Sequence, residues 1–236
     1  MTKYLETTAI LDFEHAEVQK LVNDRGWKNL SEKEKVTQVY TFVRDEIRFG
    51  YNTSDNISAS QVLQDSYGQC NTKATLLMAL MRAVEIPNRI HGFTIDKPLQ
   101  KGAIIGIWYL IAPQNIVHSW VEVLVGDNWY FLEGVILDKV YLDALQKKFA
   151  NSESNLCGYG AYTEDFKKPV VDWNYNHTFV QSKGINQDFG LFDNPDSFHA
   201  QHQQKLGPLK NWIFKNHIRH TMNKNVGKIR NKRTRK

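Results

Sequence analysis

The sequence predicts an α+β protein in which a helical N-terminal part packs on an antiparallel β-sheet, with a basic helical C-terminal extension. Three observations predict it. Apolar residues recur at three- and four-residue spacing as far as Val84. From Arg89 the period becomes two, and from Pro208 the helical period returns. Helices, then strands, then a helical tail is the order of a segregated α+β chain, not of an alternating parallel one.

Each element has its own signal. Phe13, Val18, Leu21 and Val22 predict a short helix ending near Gly26. Ser31 with Glu34 three residues on is a capping box, and Val36, Val39, Tyr40, Val43 and Ile47 then make one apolar face. Residues 50–57 are polar and loop-like, and residues 58–63 suit a short helix. The stretch YGQCNTKATLLMALMRA follows, with Ala74, Leu77, Met78, Met81 and Val84 at helical spacing and Pro87 just past the end. Residues 89–94 alternate as a strand, and residues 104–112 are a second strand candidate. Residues 117–125 and 129–132 flank Gly126-Asp127, a hairpin signal. Residues 151–168 are expected to be loop, residues 208–229 helix, and the terminal NKRTRK without order. We expect a catalytic domain at residues 1–180 and the basic, mainly helical extension at residues 181–236.

Composition narrows the function. The chain has 236 residues, enough to bury a core without disulfides, and its two cysteines, Cys70 and Cys157, exclude a disulfide framework or a four-thiolate zinc site. The N-terminal MTKYLETTAILDFEH lacks a basic stretch followed by an apolar run, so no signal peptide is expected. The longest apolar run is about ten residues, short of a membrane span. A cytoplasmic protein is the expectation. The net charge of +5 is unevenly placed: residues 205–236 hold eleven Lys and Arg and no Asp or Glu, leaving 19 basic against 25 acidic residues before them. This tail is expected either to dock through Leu209, Trp212, Ile213, Val226 and Ile229 or to meet anionic lipid or nucleic acid.

Cys70 falls at the first turn of its helix, where unsatisfied N–H groups and partial positive charge favour a thiolate. A low thiol pKa is therefore expected. A two-residue turn at Gly126-Asp127 would pair Trp120 with Glu133 and put His118, Trp120, Glu122 and Glu133 on one face of the sheet. Glu133 is then diagonal to His118, at about 7–8 Å between Cα atoms, within reach of a long carboxylate. Other short motifs lack context. Asp188-Phe189-Gly190 has no phosphate loop before it, and His199/His202 and His217/His220 have helical ligand spacing without further ligands.

Residues 31–138 resemble the transglutaminase-like core, a branch of the papain-like cysteine enzymes. The likeness rests on YGQC at 67–70 with the apolar helix after it, IPNR at 86–89, HSWVEV at 118–123, Trp129 with Glu133, and FVRDEIRFGY upstream. It implies Cys70 as nucleophile, His118 as general base and acid, and Glu133 as the residue that orients His118. The family usually has Asp there, and Asp127 and Asp138 are alternatives. The Cys70 N–H would be one oxyanion donor, with Gln64 or Tyr51 as the second. The implied chemistry is acyl transfer on an amide or peptide bond through a thioester, hydrolytic first, with an amine acceptor second and a non-catalytic binding module third. The expected partner is a protein, peptide or small amide substrate. No cofactor and no metal is implied.

Overall fold

The structure, a computed structural model, describes residues 2–151 and 156–231. The sequence's terminal residues 232–236 lie outside it. Helix α1 (Ala16–Asp24) buries Val18 and Val22. Helix α2 (Glu32–Asp45) starts at the predicted capping box: Ser31 accepts the Glu34 N–H, and the Ser31 N–H donates to the Glu34 carboxylate at 3.0 Å. Strand β1 (Arg48–Phe49) lies parallel to β2 (Tyr67–Gly68), with α3 (Ala59–Asp65) between them in the chain.

Helix α4 (Cys70–Ala83) is the centre of the molecule. Every residue from Asn71 to Ala83 is buried, with α1, α2 and α3 against it on one side and the sheet on the other. Its charged side chains are satisfied internally. Lys73 Nζ donates to the Arg44 carbonyl at 2.9 Å, and burial brings its ammonium down to about 7. Arg82 donates to the carbonyls of Glu6, Asn88 and Asp193.

Strands β3 (Asn88–Asp96), β4 (Asn115–Val125) and β5 (Asn128–Phe131) form an antiparallel sheet with β8 (Ile185–Phe192), in the order β5-β4-β3-β8. The β4–β5 hairpin has the predicted register: Glu122 opposes Phe131, and Val125 opposes Asn128 across Gly126 at φ +58°. Between β3 and β4 lies a short helix, α5 (Ile107–Ile111), where the sequence suggested a strand. Gly106 takes a left-handed φ of +62° there and breaks an extended path. Both edges of β3 are moreover occupied, by β4 and β8.

After β5 come α6 (Lys139–Lys148) and the two-residue strands β6 (Cys157–Gly158) and β7 (Ala161–Tyr162). Before its helices, the segment after residue 180 opens with a 3-10 turn (Ser182–Gly184) and then β8. Its residues Asn186-Gln187-Asp188 interrupt any apolar alternation, and its pairing with β3 shifts register twice, so periodicity could not reveal it. Helix α7 (Pro195–Gln201) then packs Phe198 over Gly92 of β3, where a Cβ would lie 2.2 Å from the ring.

The C-terminal run, α8 (Pro208–Ile213), a π-type turn at Phe214–Ile218 and α9 (Arg219–Asn231), is docked. The residues that dock it are Met222, Val226 and Ile229, whereas Leu209 and Trp212 are 71% and 57% exposed. An apolar residue in a basic helix can face either way; the contact with α6 decides it. Asn223 exchanges two hydrogen bonds with the Tyr51 backbone, at 2.7 and 3.0 Å. Arg230 pairs with buried Asp138 at 2.5 Å. No helix among the described residues is long and apolar enough to cross a membrane.

Burial pushes the Asp138 carboxyl up, but Arg230 and the Phe49 N–H outweigh it and hold the group below the usual carboxylate range. This interaction supports the fold above the ordinary carboxylate pKa and is lost as pH falls through the folded value. Arg230→Ala should lower stability by about 3 kcal/mol, because it strands a buried charge that keeps its bonds from Phe49 and Tyr141. The part of the urea-monitored stability that is lost as pH falls below the ordinary carboxylate pKa should then be smaller than in the native protein.

Candidate active site

Glycine and glutamine before Cys70 are both required by its surroundings. A Cβ on Gly68 would sit 2.7 Å from Thr72 Oγ1. Gln69 caps α4: its N–H donates to Thr72 Oγ1 at 3.1 Å, and its side-chain oxygen accepts the Asn52 N–H at 2.8 Å. Buried Asn52 accepts from Thr72 and donates to the Tyr67 carbonyl, fastening the loop after β1 to the start of α4. Gln69 Nε2 also donates to Asp55 at 2.8 Å, which brings that carboxylate beside Cys70.

Asn71, the residue after Cys70, joins α4 to β4. Its Nδ2 donates to the Val117 carbonyl at 3.1 Å, and Ser119 Oγ donates to its Oδ1 at 2.9 Å. These bonds grip β4 on either side of His118. The His118 ring is fully buried, edge-on to Phe93. Its Nε2 lies 3.4 Å from Glu133 Oε1, and its Nδ1 has no hydrogen-bond partner. Glu133 sits in a 3-10 turn just beyond β5, the ladder continuing through Leu132 N–H to the Val121 carbonyl. Its Oε2 accepts the backbone N–H groups of Val180 and Gln181 at 2.9 and 3.0 Å, so this buried carboxylate has little freedom to turn.

The other residues singled out in the sequence lie elsewhere or do other work. Asp127 is exposed at the hairpin tip, and Asp138 caps α6 and pairs with Arg230. Gln64 is exposed and donates to Glu17. Tyr51 is buried and lines the cleft that holds Cys70, and the nearby thiol adds to burial in raising its pKa. Glu122 bonds Arg89, His91 and Trp120 instead of His118. Asp188 accepts from His91 and the Gly190 N–H. The His202 ring stacks on Phe189, and its backbone hydrogen-bonds the buried His199 ring. Cys157 lies in β6.

The cleft has a volume of about 490 Å³. Its walls include Cys70, Tyr51 and Asp55, together with Gln181 and His199. Asn71, Asp55 and Gln181 had no role in the sequence reading, and His199 entered it only for its spacing from His202. Asn71 alone left a signal, as an amide in the first turn of an otherwise apolar helix. The others depend on contacts across the chain.

The expectation of a low thiol pKa is overturned. Burial pushes the Cys70 thiol well up, and Asp55 and Glu133 add to it. The N–H groups of Asn71 and Cys70 do pull it down, as a helix start should, but two nearby carboxylates and desolvation outweigh them. Alkylation of Cys70 by iodoacetamide should therefore accelerate only above the usual thiol range. Asp55→Asn should move that rise to lower pH, read by peptide mapping of the labelled thiol. An unshifted profile would remove Asp55 from the thiol's surroundings.

Among known proteins, the transglutaminase-like superfamily model matches residues 19–134, from α1 to the turn carrying Glu133. No curated protein matches the sequence. Among solved structures, the chain is similar to a "putative cysteine protease" from Cytophaga hutchinsonii, with 15% identity and a TM-score of 0.48 over 83% of this chain and 47% of that one. The chain thus spans about half the length of that protein. Cys70, His118 and Glu133 all lie inside the matched segment, and residues 19–134 carry a transglutaminase-like core.

Proposed function

We propose that the protein is a cysteine-dependent enzyme that opens an amide or peptide bond through a thioester on Cys70. The observation that carries this reading is the arrangement of His118. One ring nitrogen faces a carboxylate that two backbone amides hold still, the other is free, and Asn71 straps the Cys70 turn to both flanks of the histidine. A base so oriented has one productive direction for its proton.

In the proposed reaction His118 Nδ1 takes the thiol proton as Sγ attacks the carbonyl carbon. The C–N bond breaks, the departing amine takes that proton from His118, and the acyl group remains on sulfur. Water, activated by the same nitrogen, then attacks the thioester and restores the thiol. Because burial keeps the resting proton on sulfur, the step needs a base beside it more than a preformed thiolate. The Cys70 N–H and the Tyr51 hydroxyl are the proposed oxyanion donors. A phenol whose pKa is raised stays a donor across the working pH range. Hydrolysis is favoured over transfer to an amine because water needs no second binding site. Two free thiols suit a reducing compartment such as the cytoplasm.

The test is turnover of amide and peptide substrates, with intact-protein mass to detect the acyl adduct. Cys70→Ala and His118→Ala should each abolish turnover. Glu133→Gln should cost on the order of a thousand-fold or more. Its oxygen must still accept the Val180 and Gln181 amides, so its NH₂ would face His118 Nε2 and force the proton onto Nδ1, where the base is needed. Turnover surviving in Cys70→Ala would sink the proposal.

A further inference from the structure

The outer wall of the Cys70 cleft comes from the C-terminal segment that docks through α9. Lys205, Lys210, Phe214, Lys215 and Ile218 all line the cleft, three of them in the π-type turn at 214–218. Such a turn adds a residue to the helical repeat and redirects the face that follows it. Lys205, Lys210 and Lys215 are exposed, and among the described residues no hydrogen bond or ion pair engages the ammonium group of any of them. The wall is therefore positive at its outer edge.

The rim beside it is apolar. Ile107 and Leu110 of α5 are 64% and 74% exposed, and Ile111 is exposed as well. A second depression, lined by Ile111, Leu206, Leu209, Lys205 and Lys210, brings α5 next to the start of α8. Ile111 and Leu206 also line the main cleft, so rim and cleft are one continuous surface. Large exposed apolar patches with a charged border mark interaction sites.

The floor asks for donors. Gln181 Oε1 and His199 Nε2 have no partner, although both residues are more than nine-tenths buried and both line the cleft. A buried polar atom left unpaired costs about 1–3 kcal/mol, which an incoming N–H group would recover. Burial lowers the His199 pKa, which keeps the ring neutral and able to accept.

We propose that this surface binds an acidic peptide segment of a protein substrate. Its backbone N–H groups reach Gln181 and His199, its apolar side chains lie on the α5–α8 rim, and its carboxylates face Lys205, Lys210 and Lys215. The proposal rests on the cleft being the substrate site of the reaction above. A peptide fits better than a bilayer, which has charge and apolar surface but no chain that could descend to the two buried acceptors. The proposal also gives the C-terminal segment a role in selection: without it the cleft has no basic wall.

The test reads binding, not turnover: protection of Cys70 from iodoacetamide in the full-length protein, with Cys157 as internal reference. The probes are a short blocked peptide of glutamates around a central leucine, the same peptide with lysines in place of the glutamates, and mixed phosphatidylserine–phosphatidylcholine vesicles. The acidic peptide should protect at about ten-fold lower concentration than the basic one, with the advantage shrinking as salt rises. Lys205→Ala/Lys210→Ala/Lys215→Ala, a change confined to exposed residues, should erase most of that preference. Gln181→Leu should weaken both peptides and leave the preference. Equal protection by the two peptides, an unchanged preference in the triple variant, or protection by vesicles alone would overturn the proposal. A protein that binds the acidic peptide but never turns it over would refute the proposed reaction and leave this surface standing.

Discussion

Helix α4 cannot be moved without moving everything around it. Its residues from Asn71 to Ala83 are buried, and helices pack on one side while the sheet packs on the other. A helix buried on all sides has to satisfy its polar side chains internally, since an unpaired buried group costs more than its bond would contribute. Lys73 meets a carbonyl at the end of α2, Arg82 reaches the nearby Asn88 carbonyl and those of distant Glu6 and Asp193, and Asn71 holds β4. The same bonds that make the burial tolerable set the position of the first turn. Cys70 is thus located by a core element and not by a loop, and His118 is located from the same helix by its neighbour Asn71.

The environment of the thiol is a contest between local and tertiary electrostatics. A helix start favours negative charge, and the two nearest N–H groups act in that direction. Folding then brings in Asp55 through Gln69 and Glu133 through the β4–β5 hairpin, and it removes water. Desolvation penalises the charged form most, and two carboxylates nearby penalise a thiolate further. The balance keeps the proton on sulfur. For the proposed reaction the placing of the imidazole matters more than the resting charge of the thiol, which is why the clamp on His118 and the fixed Glu133 carboxylate are the informative features.

The C-terminal segment is part of the same architecture. Asn223 holds the Tyr51 backbone, Arg230 holds Asp138, and Asp138 in turn accepts the Phe49 N–H at the end of β1. The loop that carries Tyr51 and Asp55 is therefore fastened from two directions, by the bond of its own Asn52 to Thr72 of α4 and by Asn223 of α9. Docking through Met222, Val226 and Ile229 leaves Leu209 and Trp212 exposed, with Leu209 in the depression beside the cleft. A segment that composition alone would describe as a basic tail becomes a wall.

Local spacing was legible. The capping box at Ser31 and Glu34, the helix that Cys70 begins, and the hairpin register that brings Glu133 towards His118 all follow from interactions within a few residues or across one tight turn. So does the likeness of the segments that carry Cys70, His118 and Glu133 to one family model. What the sequence could not decide depends on partners far along the chain. Residues 104–112 are apolar enough for a strand, but β8, arriving some eighty residues later, holds the place beside β3. β8 itself hides behind polar residues because its pairing is specified by the backbone and by bulges, not by alternation. The thiol's pKa reversed because Asp55 and burial enter only on folding, and Gln181 and His199 reach the cleft from β8's two ends. Sequence by itself determined the nucleophile candidate, its histidine and the α+β order, since these rest on periodicity and short-range geometry. Tertiary structure decided the charge around the thiol and the shape of the cleft, since both are sums over groups that only the folded chain brings together.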